Sequence, residues 1–149
     1  MISEIVHVGV TVSDIDRSIA FYRDVVGLEY LGRAVMEGEC ADRLFGAKGC
    51  CVDVAYLRRG NPDCPPLELI HFRGRDAGDV RADLQRRSIS EICFVTDDIR
   101  AEYERMSALG VEFLSEPQPF DFTAEGFGRS LAIYFRDPDG IIMELVQNL

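Results

Sequence analysis

The sequence predicts an α+β fold built from two copies of one βαβββ module, and three observations carry that prediction. First, the two halves open alike. HVGVTVSDIDRSIAFYRDVVGLEYL runs from His7 to Leu31, and EICFVTDDIRAEYERMSALGVEFL runs from Glu91 to Leu114. His7 aligns with Glu91, Asp14 with Asp98 and Ile15 with Ile99, each 84 residues apart; Gly27 aligns with Gly110 and Leu31 with Leu114, 83 apart. Second, the halves close alike, PPLELIHF carrying Glu68 and GIIMELVQ carrying Glu144. Third, each half passes from strand alternation to helical spacing and back to strands. A period of this length means a duplicated module rather than a solenoid.

The elements follow in order. Residues 4–12 (EIVHVGVTV) alternate, with Val6, Val8, Val10 and Val12 on one face and His7, Gly9 and Thr11 on the other. Ser13 or Asp14 caps a helix to about Val26, whose apolar positions Ile15, Ile19, Tyr22 and Val25 recur at helical spacing, and Gly27 ends it. A strand follows at 28–36, a short helix and turn at 38–49, and strands at 50–58 and 66–72. Residues 73–87 (RGRDAGDVRADLQRR) are polar and read as a linker. The second module repeats the order: a strand at 89–96, a helix at 98–109 ended by Gly110, and strands at 111–114, 130–136 and 141–147. Residues 115–129 read as a long loop, and loops of that length in compact domains are often functional. Asp137-Pro138-Asp139-Gly140 is the turn between the last two strands. The chain is thus expected to be one domain over residues 1–149, made of a module at 1–72, the linker at 73–87 and a module at 88–149.

Bulk properties exclude several function classes. A chain of 149 residues buries a real core. A net charge of −10 argues against a nucleic acid or an anionic membrane as partner. No stretch has the length of a membrane span, and residues 1–12 lack the features of a signal peptide, so a cytoplasmic location is expected. The five cysteines include no CxxC pair, which argues against a disulfide framework or a structural zinc site. Cys93 stands apart because it lies two residues after Glu91, on the same strand face.

Strand parity then isolates four polar positions. If Leu69 and Leu145 pack under the helices, Glu68 and Glu144 point the other way, toward the side that His7 and Glu91 also face. Any one of these taken alone is an ordinary solvated or hydrogen-bonded side chain. Together, at repeat-equivalent places, three glutamates would repel one another, and a divalent cation resolves the repulsion. His7, Glu68, Glu91 and Glu144 are therefore candidate metal ligands. By parity His71 points away from them.

These residues resemble a known group. HVGVTVSDIDRSIAFYRDVVGLEYLG and YFRDPDGIIMELVQ are similar to the vicinal oxygen chelate superfamily, which contains glyoxalases, bleomycin resistance proteins and extradiol dioxygenases. The resemblance covers essentially the whole chain and is specific to the superfamily, not to one activity in it. It implies paired βαβββ modules forming a curved, incompletely closed barrel, one divalent metal ion per site (Mn, Mg, Ni, Co, Fe or Zn), a small-molecule substrate and a homodimer. His7, Glu68 and Glu144 match ligands of the glyoxalase I pattern, while Glu91 falls where that pattern has histidine. Three carboxylates and one imidazole make a hard donor set, which tilts the preference toward Mn, Mg or Ca and lacks the two-histidine, one-carboxylate set of an iron dioxygenase.

The chemistry implied is proton transfer beside a carbonyl, as in glyoxalase I (lactoylglutathione lyase) or acyl-CoA epimerase. The metal polarises the oxygen, and Glu144 or Glu68 takes the proton, with Glu91 as a third candidate. The pocket wall is expected from Phe120, Phe122, Phe127 and Arg129 on one side, from Arg43 and Phe45 on the other, and from Cys93. Two alternatives remain open: a metal-dependent dioxygenase, and a non-enzymatic protein that sequesters a small molecule or drug, with Glu91 marking a lost metal site.

Overall fold

The computed structural model describes residues 4–78 and 81–149. The chain forms two compact units, Met1–Asp79 and Val80–Leu149. The first unit contains β1 (Val8–Thr11), α1 (Ile15–Ala20, running on through a π-helical turn at Phe21–Val25), β2 (Glu29–Glu37), α2 (Glu39–Phe45), β3 (Cys51–Arg58) and β4 (Leu67–Phe72). The second contains β5 (Ile92–Val95), α3 (Ile99–Ala108), β6 (Gln118–Phe122), a 3-10 turn at Thr123–Glu125, β7 (Gly128–Arg136) and β8 (Ile142–Asn148). Each unit has one open, four-stranded mixed sheet, ordered β1-β4-β3-β2 and β5-β8-β7-β6. The outer pairs β1–β4 and β5–β8 are parallel and the rest antiparallel. The α+β duplication expected from the sequence is what the chain adopts.

The repeat reaches the helix ends. Asp14 accepts the amides of Asp16 and Arg17 at 3.0 Å, and Asp98 accepts that of Ala101 at 3.0 Å. Both carboxylates thereby satisfy amides that have no partner within the helix. Gly27 and Gly110 follow the helices with φ of 85° and 83°, a region a β-carbon disfavours.

Each helix covers one face of its sheet. Tyr22, Ala55, Leu57 and Leu69 are sealed from solvent, as are Ile99, Phe135 and Met143. Each large apolar side chain buried this way contributes roughly 1.5–3 kcal/mol. On the other face of the first sheet, α2 lays Ala41 and Phe45 over Val52, Val54, Ile70 and Phe72. The cysteines are all free. Among the described residues no helix is long and apolar enough to cross a membrane.

Four expectations need correction. The first strand does not begin at residue 4. Val8 is opposite Leu67 and its amide bonds Pro66, and the prolines at 65 and 66 leave residues 4–7 without a ladder partner. The strand expected at 89–96 shortens to Ile92–Val95. Residues 111–114 contribute only an isolated bridge from Phe113 to Phe135. The strand lies instead at Gln118–Phe122, inside the segment expected to be a loop. Pro119 concealed it, yet β6 is an edge strand, where a residue without an amide hydrogen is tolerated. Of the expected linker, residues 79 and 80 lie outside the described residues.

Candidate metal centre and active site

In the first unit, register assembles the site. Gly9 on β1 and Tyr56 on β3 are both paired with Glu68 on β4. Glu68 is buried, while the His7 side chain, one residue before β1, is 43% exposed. His7 Nε2 lies 3.3 Å from Glu68 Oε2. The Tyr56 hydroxyl donates to Glu68 Oε1 at 2.5 Å, and the His7 and Tyr56 rings meet edge-on at 6.1 Å. That hydrogen bond, with burial and the carboxylate charge behind it, pushes the Tyr56 phenol up to about 12. Gly9 leaves clearance: a β-carbon there would stand 3.3 Å from Glu68 Oε2 and 3.2 Å from Ile70 Cδ1, tighter than ordinary van der Waals contact.

The second unit repeats the frame with different chemistry. Tyr134 on β7 and Cys93 on β5 are both paired with Glu144 on β8. Cys93 stands where the first unit has Gly9. Burial, a hydrogen bond to Glu144 and the charges of Glu144 and Glu91 push the Cys93 thiol up to about 12. Burial, then the same two carboxylates, raises the Tyr134 phenol as well. Glu91, just before β5, is half-buried.

The donor chemistry suits a divalent ion. Two ligands of one such ion, each about 2.1 Å from it at roughly right-angled to tetrahedral spacing, lie about 3.0–3.4 Å apart. The His7–Glu68 separation of 3.3 Å has that spacing. Among the described residues, no group of three or more His, Cys, Asp or Glu side chains converges closely enough to hold an ion. The structure therefore brings together pairs within each unit, His7 with Glu68 and Cys93 with Glu144.

The remaining pocket candidates divide. Phe120 and Phe122 stack at 5.9 Å with their planes 8° apart, and the register puts them on the sheet face that carries Ser130, Ala132, Tyr134 and Glu144. Phe127 is 83% exposed, out on the turn beyond them. Arg129 is paired with Asp121, one residue out of step with Phe120 and Phe122, and so faces the other side. Arg43 is exposed and ion-paired with Glu39 on α2. Phe45 packs edge-on against Phe72 at 5.3 Å and lines a cavity of about 280 Å³ with His71 and Arg75. His71 is tied through Nδ1 to the Val12 carbonyl at 3.2 Å. Tyr56 and Tyr134 escaped the sequence reading. The signal that could have found them is the hairpin turn before each glutamate, which fixes the cross-strand partner.

The family model for the Glyoxalase/Bleomycin resistance protein/Dioxygenase superfamily matches residues 4–145. The chain belongs to that superfamily. It is 31% identical to a lactoylglutathione lyase of Pseudomonas aeruginosa, covering 95% of this chain and 80% of the relative. It is 29% identical to the uncharacterized protein YwbC of Bacillus subtilis over 99% of both chains. Among solved structures, a glyoxalase family protein from Bacillus cereus superposes with a TM-score of 0.84 at 26% identity, covering 100% of this chain and 96% of that one. The superfamily resemblance drawn from the opening and closing motifs is thus confirmed.

Proposed function

We propose that this protein is a divalent-metal-dependent enzyme of the glyoxalase I or acyl-CoA epimerase type, moving a proton beside a thioester or related carbonyl. The observation that carries the reading is the His7–Glu68 pair, an imidazole nitrogen and a carboxylate oxygen held at ligand spacing on a face lined by Tyr56 and Gly9. In the first unit His7 and Glu68 are the metal-binding pair. Glu91 and Glu144 occupy the corresponding places in the second unit, and we propose them as further candidate ligands, Glu144 doubling as the base. A bound ion would polarise the carbonyl oxygen and stabilise the charge that develops on it. The protein's own groups do the rest. Glu144, flanked on the sheet by Cys93 and Tyr134 and given no short phenol hydrogen bond of the kind Tyr56 gives Glu68, takes the proton from carbon and returns it. Phe120 is two strands and four residues from Glu144, on the order of 15 Å. The aromatic pair therefore holds the remote end of a small molecule and does not touch the reacting atoms.

The relatives' names make lactoylglutathione the probe of choice. The metal-loaded protein, incubated with lactoylglutathione in deuterium oxide, is expected to exchange the hydrogen next to the thioester carbonyl. About one divalent ion per chain by elemental analysis should accompany the activity. Glu68→Gln and His7→Ala should each weaken metal binding by about ten-fold or more. Full occupancy in both variants would remove the ligand assignment.

The glutamate at position 91 gives a separate prediction. Glu91→His replaces a hard oxygen donor by imidazole and is expected to move metal preference from Mn or Mg toward Ni, Co or Zn. Competition between Mn and Zn, read by elemental analysis of the two proteins, checks this. An unchanged ratio would take Glu91 out of the metal-binding set.

One observation favours a second reading, sequestration of a small molecule without turnover. The stacked Phe120 and Phe122 are 44% and 47% exposed and form a ready platform for a flat ligand. Metal uptake with α-hydrogen exchange rejects it; failure of both supports it.

A further inference from the structure

We propose that Tyr56 is a positioning residue that makes Glu68 a one-oxygen metal ligand. The inference rests on the metal-dependent reading above. A carboxylate has two equivalent oxygens and can bind a cation through one or both. At Glu68 the two are no longer equivalent. Oε1 takes the Tyr56 hydroxyl at 2.5 Å, while Oε2 faces His7 Nε2 at 3.3 Å. The short bond engages Oε1 and makes Oε2, the oxygen that faces His7, the favoured donor to a cation. Groups that orient a ligand in this way commonly matter almost as much as the ligand itself.

The hold is built into the sheet. Tyr56 is paired with Glu68 across β3 and β4, so the bond needs no backbone adjustment. Its ring packs with the cluster of Val52, Val54 and Ile70. On the opposite flank Gly9 leaves the space into which Oε2 points. Holding Glu68 to one oxygen keeps a coordination place open. A substrate that chelates through two oxygens needs that place.

The second unit supplies an internal contrast. Tyr134 is paired with Glu144 by the same register, but there Cys93 takes the place of Gly9 beside the carboxylate, and its thiol lies 3.9 Å from the Phe94 carbonyl. A thiol is a weak donor and does not fix a carboxylate as a phenol does. The two repeat-equivalent glutamates are therefore held differently, Glu68 in place and Glu144 loosely.

The test uses the full chain and manganese as the probe. Free Mn²⁺ measured by electron paramagnetic resonance gives the dissociation constant, and water-proton relaxation gives the number of exchangeable waters on the bound ion. Tyr56→Phe is expected to raise the dissociation constant about ten-fold. It should also lower the number of bound waters, because Glu68 becomes free to use both oxygens. Tyr134→Phe should leave both readings within about two-fold. Wild-type-like values for Tyr56→Phe overturn the positioning role while leaving the metal reading intact. A wild-type protein that binds no Mn²⁺ overturns both. A crystal structure of the wild-type protein with Mn²⁺ is independent of whether the variant folds. Glu68 bound through Oε2 alone, with Tyr56 still on Oε1, is the expected result; a Glu68 bound through both oxygens overturns the proposal.

Discussion

Glu144→Gln is expected to lower the rate of α-hydrogen exchange on lactoylglutathione by about a hundred- to ten-thousand-fold, the range that general base catalysis contributes. Glutamine keeps the size and one oxygen of the side chain but cannot accept a proton at useful pH. The loss should fall on kcat, with KM changed by much less, because the proposed platform for the remote end of the ligand, Phe120 and Phe122, is untouched by the substitution. Metal content should drop by less than in Glu68→Gln, since within the second unit the neighbouring strands pair Glu144 with Cys93 and Tyr134, whereas Glu68 has His7 at 3.3 Å. Retention of the exchange rate in Glu144→Gln would pass the role of base to Glu91 or Glu68. A second control is Cys93→Gly, which restores the first-unit arrangement around Glu144. The thiol carries its proton at neutral pH, so its removal should leave the exchange within a few-fold.

Most of the site's frame was legible because side-chain period and repeat register are properties of the sequence itself. Alternation in the first strand placed His7 opposite the valine face, of which Val12 is 1% exposed, whereas Val6, before the strand begins, is 67% exposed. Leu69 and Leu145 are buried, as the orientation of Glu68 and Glu144 required. The unread parts depend on information that lies between strands. Tyr56 and Tyr134 look like ordinary strand residues until the hairpins fix which carboxylate each one meets. Arg129 looked like a pocket cation because the segment from 115 to 129 read as a loop, where direction is not set by period. Once β6 and β7 pair, Arg129 is locked onto the other face with Asp121. Pro119 is the residue that misled, since the rule against proline in strands fails at a sheet edge. Asp53, a charge inside an apolar strand, was missed for a related reason: its partners Arg33 and Arg73 come from β2 and from the residue just past β4.

Asp53→Asn is expected to destabilise the first unit strongly while leaving the site residues in place. Asp53 is 1% exposed. Arg73 binds it through two nitrogens at 2.7 Å, and Arg33 adds Nε at 3.1 Å while reaching Asp16 at 2.8 Å. The Arg73 hydrogen bonds lead, burial opposes, and Arg33 adds to them; together they hold the Asp53 carboxyl down at about 2. A folded pKa below the unfolded value of about 3.9 stabilises the native state above that unfolded value, and the benefit is lost as pH falls toward 2. The two states differ by somewhat under two pH units, equivalent to about 2 kcal/mol. Asparagine keeps the shape but removes the charge and one acceptor, and leaves the Arg33 guanidinium, 30% exposed, with Asp16 as its remaining carboxylate. Breaking a buried pair from one side costs about 3–5 kcal/mol, and the half-exposed Arg73 brings this down to roughly 2–4 kcal/mol. Urea unfolding at pH 7 should show that loss directly. Between pH 4 and pH 2 the wild-type protein should lose stability more steeply than Asp53→Asn, because the variant has no carboxylate left to protonate at that position. Parallel curves for the two proteins across that range would mean that the Asp53 charge does not stabilise the folded chain.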